Sequence, residues 1–288
     1  MRNPWGLLVA AVIPVALLQA SPAAAQFSSL FGGKEGTPDA WKVCEGQDGA
    51  TLEQRIGACG AIIDGGLMET EDNRAGAYAN RASALQESGD LDRALQDYNK
   101  AIQLNGKFAP AFVGRASVYV AKGQFEFAVL DYGQAIKLDP KNALAYLSRG
   151  SAYSMQGQYD RAVADFDQVI RMNPKEYAAY NNRCFARAKA GQAQLALADC
   201  DEALRLRPYD ADNLDTRGFA NLKLGQIDRA IADYSDALDI NPKLATSLYG
   251  RGIARLRRGD RRGSAADIAA AKAIQANIAE EFARYGVR

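Results

Sequence analysis

The chain has 288 residues, a formal charge of +1 from 35 Lys and Arg against 34 Asp and Glu, and no histidine. The balanced charge gives no electrostatic reason to expect nucleic acid as the main partner. The lack of histidine excludes Ser-His-Asp and Cys-His nucleophile pairs, HExxH metal sites and imidazole proton shuttles. Hydrophobic residues make up 48% of the chain, which is enough to bury a core.

The N-terminus has the three-part pattern of a secretory signal peptide. Arg2 supplies a positive start, residues 6–18 form an apolar run, and residues 23–25 are alanines. Cleavage is predicted between Ala25 and Gln26, which removes the signal and leaves an exported chain. The apolar run is shorter than the roughly 20 residues that span a bilayer. An uncleaved anchor is the structural alternative.

Residues 26–74 are predicted to form a flexible start followed by an N-terminal cap helix. Glycine and serine are frequent up to residue 37, as they are in mobile segments. Thr51 followed by Gln54 has the spacing of a capping box, which marks a helix start. The pair Gly65 and Gly66 marks the end of that helix.

From Ala75 the sequence repeats every 34 residues without an insertion. The six repeats are residues 75–108, 109–142, 143–176, 177–210, 211–244 and 245–278. Position 15 is always glycine, position 8 is always small, position 20 is mostly alanine, position 24 is mostly aromatic and position 32 is mostly proline. Apolar residues at helical spacing on both sides of the glycine predict two helices per repeat. Neither helix can bury its apolar face alone, so each hairpin must stack on its neighbours.

This framework resembles the tetratricopeptide repeat (TPR) family. In repeat 3, residues 145–174 read AYLSRGSAYSMQGQYDRAVADFDQVIRMNP and follow the family pattern nearly position for position. The resemblance implies an all-α TPR solenoid, a right-handed superhelix of helix-turn-helix hairpins with capping helices at both ends. Residues 279–288 are predicted to form the C-terminal cap, with Phe282 and Tyr285 covering the last hairpin.

Two charged positions are constant in all six repeats, Arg at position 7 and Asp at position 23. In an antiparallel hairpin that turns near position 15 these positions lie level, and the planar fork of Arg suits a carboxylate. A row of arginines that binds an anionic polymer is the functional alternative. A structural ion-pair ladder is favoured, because a ligand-binding arginine needs no carboxylate opposite it. The predicted pairs are Arg81–Asp97, Arg115–Asp131, Arg149–Asp165, Arg183–Asp199, Arg217–Asp233 and Arg251–Asp267.

The four cysteines have no metal-like spacing and are predicted to form two disulfides in an oxidising compartment. Cys184 and Cys200 replace the residues at positions 8 and 24 of repeat 4, which face each other across the hairpin. Their pairing leaves Cys44 to pair with Cys59. Buried free thiols are the alternative.

The family resemblance implies that the first helices of successive repeats line a concave groove, into which positions 2, 5, 9, 12 and 13 point. Packing inside each hairpin uses other positions, so the apolar residues found here are expected to be an exposed strip that binds a peptide. The predicted groove residues are Val113, Val120, Leu144, Leu147, Met155, Phe185, Phe219, Leu222, Tyr249, Ile253 and Leu256. The alternative is that a capping segment or a second copy fills the groove.

The predicted function is an exported, non-catalytic scaffold of a bacterial periplasm that binds a protein or peptide partner, in cell-envelope assembly or secretion. No cofactor and no metal are predicted. An enzyme is disfavoured because no catalytic set, phosphate loop or nucleophile elbow is present in the sequence. The alternative function is an envelope factor that binds cell-wall glycan or anionic lipid through the basic turn, residues Arg255–Arg262. For the charge run itself a solvated turn between helices is favoured, because charge runs at turns are common and the chain is otherwise balanced.

Overall fold

A computed structural model of the protein describes residues 38–65 and 69–287. The predicted signal peptide, its cleavage site and residues 26–37 lie outside the described residues. Within the described residues the fold is all-α, as predicted. The helices are α1 (Pro38–Cys44), α2 (Leu52–Asp64), α3 (Glu71–Glu87), α4 (Leu91–Leu104), α5 (Ala109–Ala121), α6 (Phe125–Leu138), α7 (Ala143–Met155), α8 (Tyr159–Met172), α9 (Tyr177–Lys189), α10 (Ala193–Leu206), α11 (Ala211–Lys223), α12 (Ile227–Ile240), α13 (Ala245–Arg258), α14 (Arg261–Ile274) and α15 (Ile278–Arg284). None of these helices is long and apolar enough to cross a membrane.

Two helices form in each repeat, α3 and α4 in the first and α13 and α14 in the last. The glycine at position 15 of every repeat has a left-handed backbone, with φ between 71° and 95°, and it separates the two helices. Helix α3 begins at Glu71, four residues before the predicted repeat boundary. It starts there because the side chain of Thr70 accepts the backbone N–H of Asn73 at 3.1 Å.

The described residues fall into two compact units, of which the first ends at Ser148. Its N-terminal cap has the predicted capping box: Thr51 Oγ1 accepts the Gln54 N–H, and the Thr51 N–H donates to Gln54 Oε1. Helix α2 packs against both α1 and α3. A small buried cluster that includes Cys44, Cys59 and Ile62 holds this cap together.

The second unit begins at Arg149 and has one large core. The first helices of repeats 4, 5 and 6, which are α9, α11 and α13, stack on one another in order. Small residues at position 8 allow the two helices of a hairpin to approach closely: a Cβ added at Gly218 would lie 2.9 Å from the Tyr234 ring. The same core continues into α15 through Ile278 and Phe282 and ends at Val287.

Candidate functional site

All six predicted Arg–Asp pairs are present, and each is bidentate. The Nε and Nη2 groups of Arg donate to the two carboxylate oxygens of Asp in the same repeat, at 2.5–3.2 Å. The six aspartates are buried. Hydrogen bonding to Asp97 raises the pKa of Arg81 above its ordinary value, against the effect of burial. Because each guanidinium is engaged by a buried carboxylate, the row offers little to an anionic polymer.

The ladder also connects neighbouring repeats, which the sequence analysis missed. In four repeats the remaining Nη1 group of Arg donates to position 25 of the preceding repeat. These bonds are Arg115 to Asn99 (2.7 Å), Arg183 to Asp167 (2.5 Å), Arg217 to Asp201 (3.0 Å) and Arg251 to Ser235 (3.3 Å). A signal existed in the sequence, since position 25 carries a hydrogen-bonding side chain in these four preceding repeats and Gly or Ala in the other two.

Position 11 is Leu or Tyr in the first three repeats and Arg or Asn in the last three. Arg187 donates to Asp199 at 2.7 Å, Asn221 to Asp233 at 2.7 Å, and Arg255 to Asp267 at 2.8 Å. These side chains supply a further donor to carboxylates that are buried, and each added hydrogen bond offsets part of the cost of burying a charge. Polar residues are therefore tolerated on this stripe.

The sulfur atoms are paired as the sequence predicts. Cys44 is joined to Cys59 in the N-terminal cap, with their Cα atoms 4.8 Å apart. Cys184 is joined to Cys200 across the hairpin of repeat 4, with their Cα atoms 5.4 Å apart. Both bridges are buried.

The predicted groove residues of the first unit differ in exposure. Leu144 is 41% exposed and Val113 and Val120 are half-buried. Leu147 is buried, so the expectation that it is exposed is wrong: packing within the protein already covers its side chain. Leu144 is the apolar residue of this group that offers most surface to a partner.

In the second unit the expected exposed strip is largely covered. Leu256 is 49% exposed, and Met155 and Phe185 are half-buried. The four other predicted groove residues are buried, which corrects the expectation of a continuous exposed strip; they are Phe219, Leu222, Tyr249 and Ile253.

The C-terminal segment, defined as residues 278–287, contributes to this burial and contacts two of the four directly, Phe219 and Tyr249. The ring of Phe282 lies 4.8 Å from the Tyr249 ring and 5.9 Å from the Phe219 ring, measured between centroids. The Tyr285 ring lies 6.2 Å from that of Phe219, edge to face. Ile278, Phe282 and residue 287 are buried in the same core as the groove residues. The segment was predicted to cover the last hairpin, and it reaches two repeats further back.

Two lysines of the groove contact the C-terminal segment. Lys223 Nζ donates to the Tyr285 carbonyl oxygen at 2.7 Å. Lys189 Nζ lies between two ring faces, 3.7 Å from the centroid of Phe185 and 3.4 Å from that of Tyr285. Burial lowers the pKa of Lys189 to about 7, although the carboxylate of Glu281 acts in the opposite direction.

Asp215 is a second titratable group beside the groove whose pKa is shifted. Burial raises its pKa to about 7, and hydrogen bonds from Ser247 and Thr246 partly oppose this shift. Ser247 Oγ donates to Asp215 Oδ1 at 2.5 Å. The carboxylates of Asp212 and Glu281 raise this pKa further.

Three arginines of the basic turn make contacts within the protein. Arg255 donates to Asp267 of the ion-pair ladder, Arg257 donates to the Leu222 carbonyl oxygen at 3.4 Å, and Arg258 lies 3.5 Å from an Asp228 oxygen. Arg261 and Arg262 are exposed, as are Arg257 and Arg258. The turn is therefore a weaker candidate for a glycan or lipid site than its sequence suggests.

Comparisons with known families find the same kind of repeat in this chain. The description "TPR repeat" matches residues 116–157 and 218–259, and "Tetratricopeptide repeat" matches residues 75–108 and 143–176. The chain belongs to the tetratricopeptide repeat (TPR) family. No curated protein matches it in sequence. The TPR fold is typically a protein-interaction scaffold without catalytic activity, and no enzyme family is indicated.

Several solved structures have a similar TPR fold. A TPR protein from Parabacteroides merdae is 21% identical, with a TM-score of 0.67, over 86% of this chain and 96% of that one. PilW, a type IV pilus biogenesis factor, is 20% identical, with a TM-score of 0.63, over 69% and 92%. PilF of Pseudomonas aeruginosa is 18% identical, with a TM-score of 0.61, over 74% and 98%. At these identities the similarity establishes the fold alone.

Proposed function

We propose that this TPR protein is an exported, non-catalytic scaffold that binds a protein or peptide partner on the first helices of its repeats, in cell-envelope assembly or secretion. The observation that carries the proposal is the contact of the C-terminal segment with α9, α11 and α13. There the predicted groove positions bind the apolar side of a short helix, which is the kind of ligand that the proposal requires.

Export is supported by two kinds of observation. The first 25 residues have the pattern of a signal peptide. The two buried disulfides fit an oxidising compartment such as the periplasm. PilW has a similar fold and is a pilus biogenesis factor, and a comparable assembly role fits a TPR scaffold. N-terminal sequencing of the periplasmic protein should begin at Gln26, and recovery from the cytoplasm with four reactive thiols would contradict export.

The first unit supplies the surface for the functional test. Leu144 is a predicted groove residue on the first helix of its repeat and is 41% exposed. Lys100 is also exposed, but it lies on α4, the second helix of its repeat. A photo-crosslinking amino acid placed at Leu144 should capture a protein partner in cells, and the same group at Lys100 should not. Equal capture at both positions contradicts the groove proposal. Adducts of lipid or glycan without protein favour the alternative of an envelope factor that binds such ligands.

A further inference from the structure

We propose that the groove of the second unit is a binding site for a short amphipathic helix with two aromatic residues three positions apart, and that residues 278–287 occupy it as a built-in ligand until a partner segment of this kind replaces them. This inference rests on the proposed function and specifies the chemistry of the partner.

The C-terminal segment does more than extend the stack by one helix. A capping helix needs to cover only α13 and α14, and α15 does contact both. Its side chains also reach Phe219 on α11 and Lys189 on α9, one and two repeats further back. The segment therefore lies along the groove that the first helices form within the second unit.

The apolar contacts have the spacing by which a helix binds in a groove. Ile278, Phe282 and Tyr285 follow one another at intervals of four and three residues, which places them on one side of a helix. Phe282 lies between Tyr249 and Phe219, with centroid distances of 4.8 and 5.9 Å. Aromatic pairs at such distances contribute beyond the area that they bury. This pair of aromatic anchors defines the apolar part of the ligand.

The polar contacts fix the direction and the charge of the ligand. Lys223 binds the main-chain carbonyl oxygen of Tyr285, a contact that any peptide of the same path can make. Lys189 lies over the Tyr285 ring, and the carboxylate of Glu281 raises the pKa of this lysine. Glu281 itself is buried and accepts a hydrogen bond from Gln275 at 2.8 Å. An acidic residue directly before the first aromatic residue is thus part of the expected partner motif.

The segment is suited to exchange. Helix α15 has seven residues, and an isolated helix of that length is not stable in water. It is held by the groove and by a short connection, residues 275–277, which gives it an effective concentration on the order of millimolar. A partner that presents the same side chains on a more stable helix loses less conformational entropy on binding, and it can displace the segment.

The test uses the full mature chain and a fluorescent synthetic peptide with the sequence of residues 276–287. Phe282→Asp in the chain removes the central anchor of the segment and places a charge against the groove aromatics. We expect the labelled peptide to bind this variant at least about tenfold more tightly than the wild type, as judged by fluorescence anisotropy, because its internal competitor is weakened. Glu280→Gln is the matched control: Glu280 lies on the same helix and is exposed, so its peptide affinity should equal that of the wild type.

A variant peptide and a second protein variant test whether the aromatic anchor and the segment itself cause the difference in affinity. A peptide in which Phe282 is replaced by serine should bind neither protein. If Phe282→Asp lowers the helix content by circular dichroism, Tyr285→Ala serves as the second variant, because it removes one ring of the segment and leaves every groove residue unchanged. Equal peptide affinity of wild type and variant, or binding to neither, overturns the inference. A wild-type dimer that Phe282→Asp converts to a monomer also overturns it, since a second copy then holds the segment.

The two proposals can fail separately. The photo-crosslinker at Leu144 lies in the first unit, and its result does not depend on the C-terminal segment. Capture there without peptide binding refutes the built-in ligand and leaves the scaffold proposal intact. If the peptide binds but the crosslinker at Leu144 captures no protein, the partner site of the first unit is refuted and the binding site in the groove of the second unit is supported.

Discussion

Replacing Arg115 by alanine tests how much the ion-pair ladder contributes to stability. Arg115 donates two bonds of 2.7 Å to Asp131 and one of 2.7 Å to Asn99. Asp131 is only 7% exposed, so the substitution leaves a buried carboxylate without its bidentate partner. Stranding a buried charge costs about 3–5 kcal/mol. The Arg115 side chain is 20% exposed, which lets water reach the vacated space. We therefore expect Arg115→Ala to lower the free energy of unfolding by about 3 kcal/mol.

The assay is denaturant unfolding followed by circular dichroism, in which a lower midpoint with an unchanged slope reports a loss of stability. Arg93→Ala is the matched control, because the Arg93–Asp90 pair is 3.4 Å long and its side chains are 60% and 38% exposed. An exposed pair of this kind contributes less than about 1 kcal/mol. The double variant Arg115→Met with Asp131→Leu should recover most of the loss, since it leaves no buried charge unpaired.

Two results would refute this reasoning. The first is an equal loss of stability in Arg115→Ala and Arg93→Ala, which would mean that the burial of Asp131 has no energetic effect. The second is a double variant as unstable as Arg115→Ala, which would show that the loss comes from packing and not from a stranded charge.

Four further predictions rest on particular residues. Gly250→Ala should destabilise the second unit by about 1–3 kcal/mol in thermal melts, because its Cβ would overlap the Tyr234 ring. Gly76→Ala, whose Cβ meets nothing within 4 Å in α3, should instead stabilise by up to about 1 kcal/mol. The pKa of Asp215 is raised in the folded protein, so protonation of this carboxyl stabilises the second unit fully below about pH 4, and the stabilisation is lost as the pH rises through about 7. The wild type should therefore melt at a higher temperature at about pH 5 than at about pH 8. Asp215→Asn should abolish the part of that change in melting temperature that Asp215 causes. Non-reducing peptide mapping should recover both disulfides and no crossed pairs.

The repeats were predictable because their signals are local. The glycine at position 15 and the small residue at position 8 set where a helix ends and how closely its partner packs, and both recur every 34 residues. The pairing of Cys184 with Cys200 followed from the same register. These features depend on contacts within one hairpin, so a sequence pattern describes them well.

The covering of the groove was less predictable because it depends on a segment outside the repeats. Phe282 and Tyr285 were recognised as apolar residues of a final helix, but ten residues without a repeat cannot indicate which surface they cover. Tertiary contacts with Phe219 and Tyr249 decide that. Likewise, Arg255 was assigned to a basic turn because its neighbours in sequence are basic, whereas its hydrogen-bond partner, Asp267, lies on the next helix.

The Nη1 bonds between repeats affect how the second unit unfolds. In a repeat protein the stability of the whole is approximately the sum of the repeats' own stabilities and the coupling between neighbours. The bonds from Arg183, Arg217 and Arg251 each add to that coupling, because one side chain ties its own hairpin to the hairpin before it. Loss of one repeat therefore also removes a bond from its neighbour, and partial unfolding that stops at a repeat boundary becomes less favourable. The same arginines that hold each hairpin in register make the second unit open as a larger cooperative block.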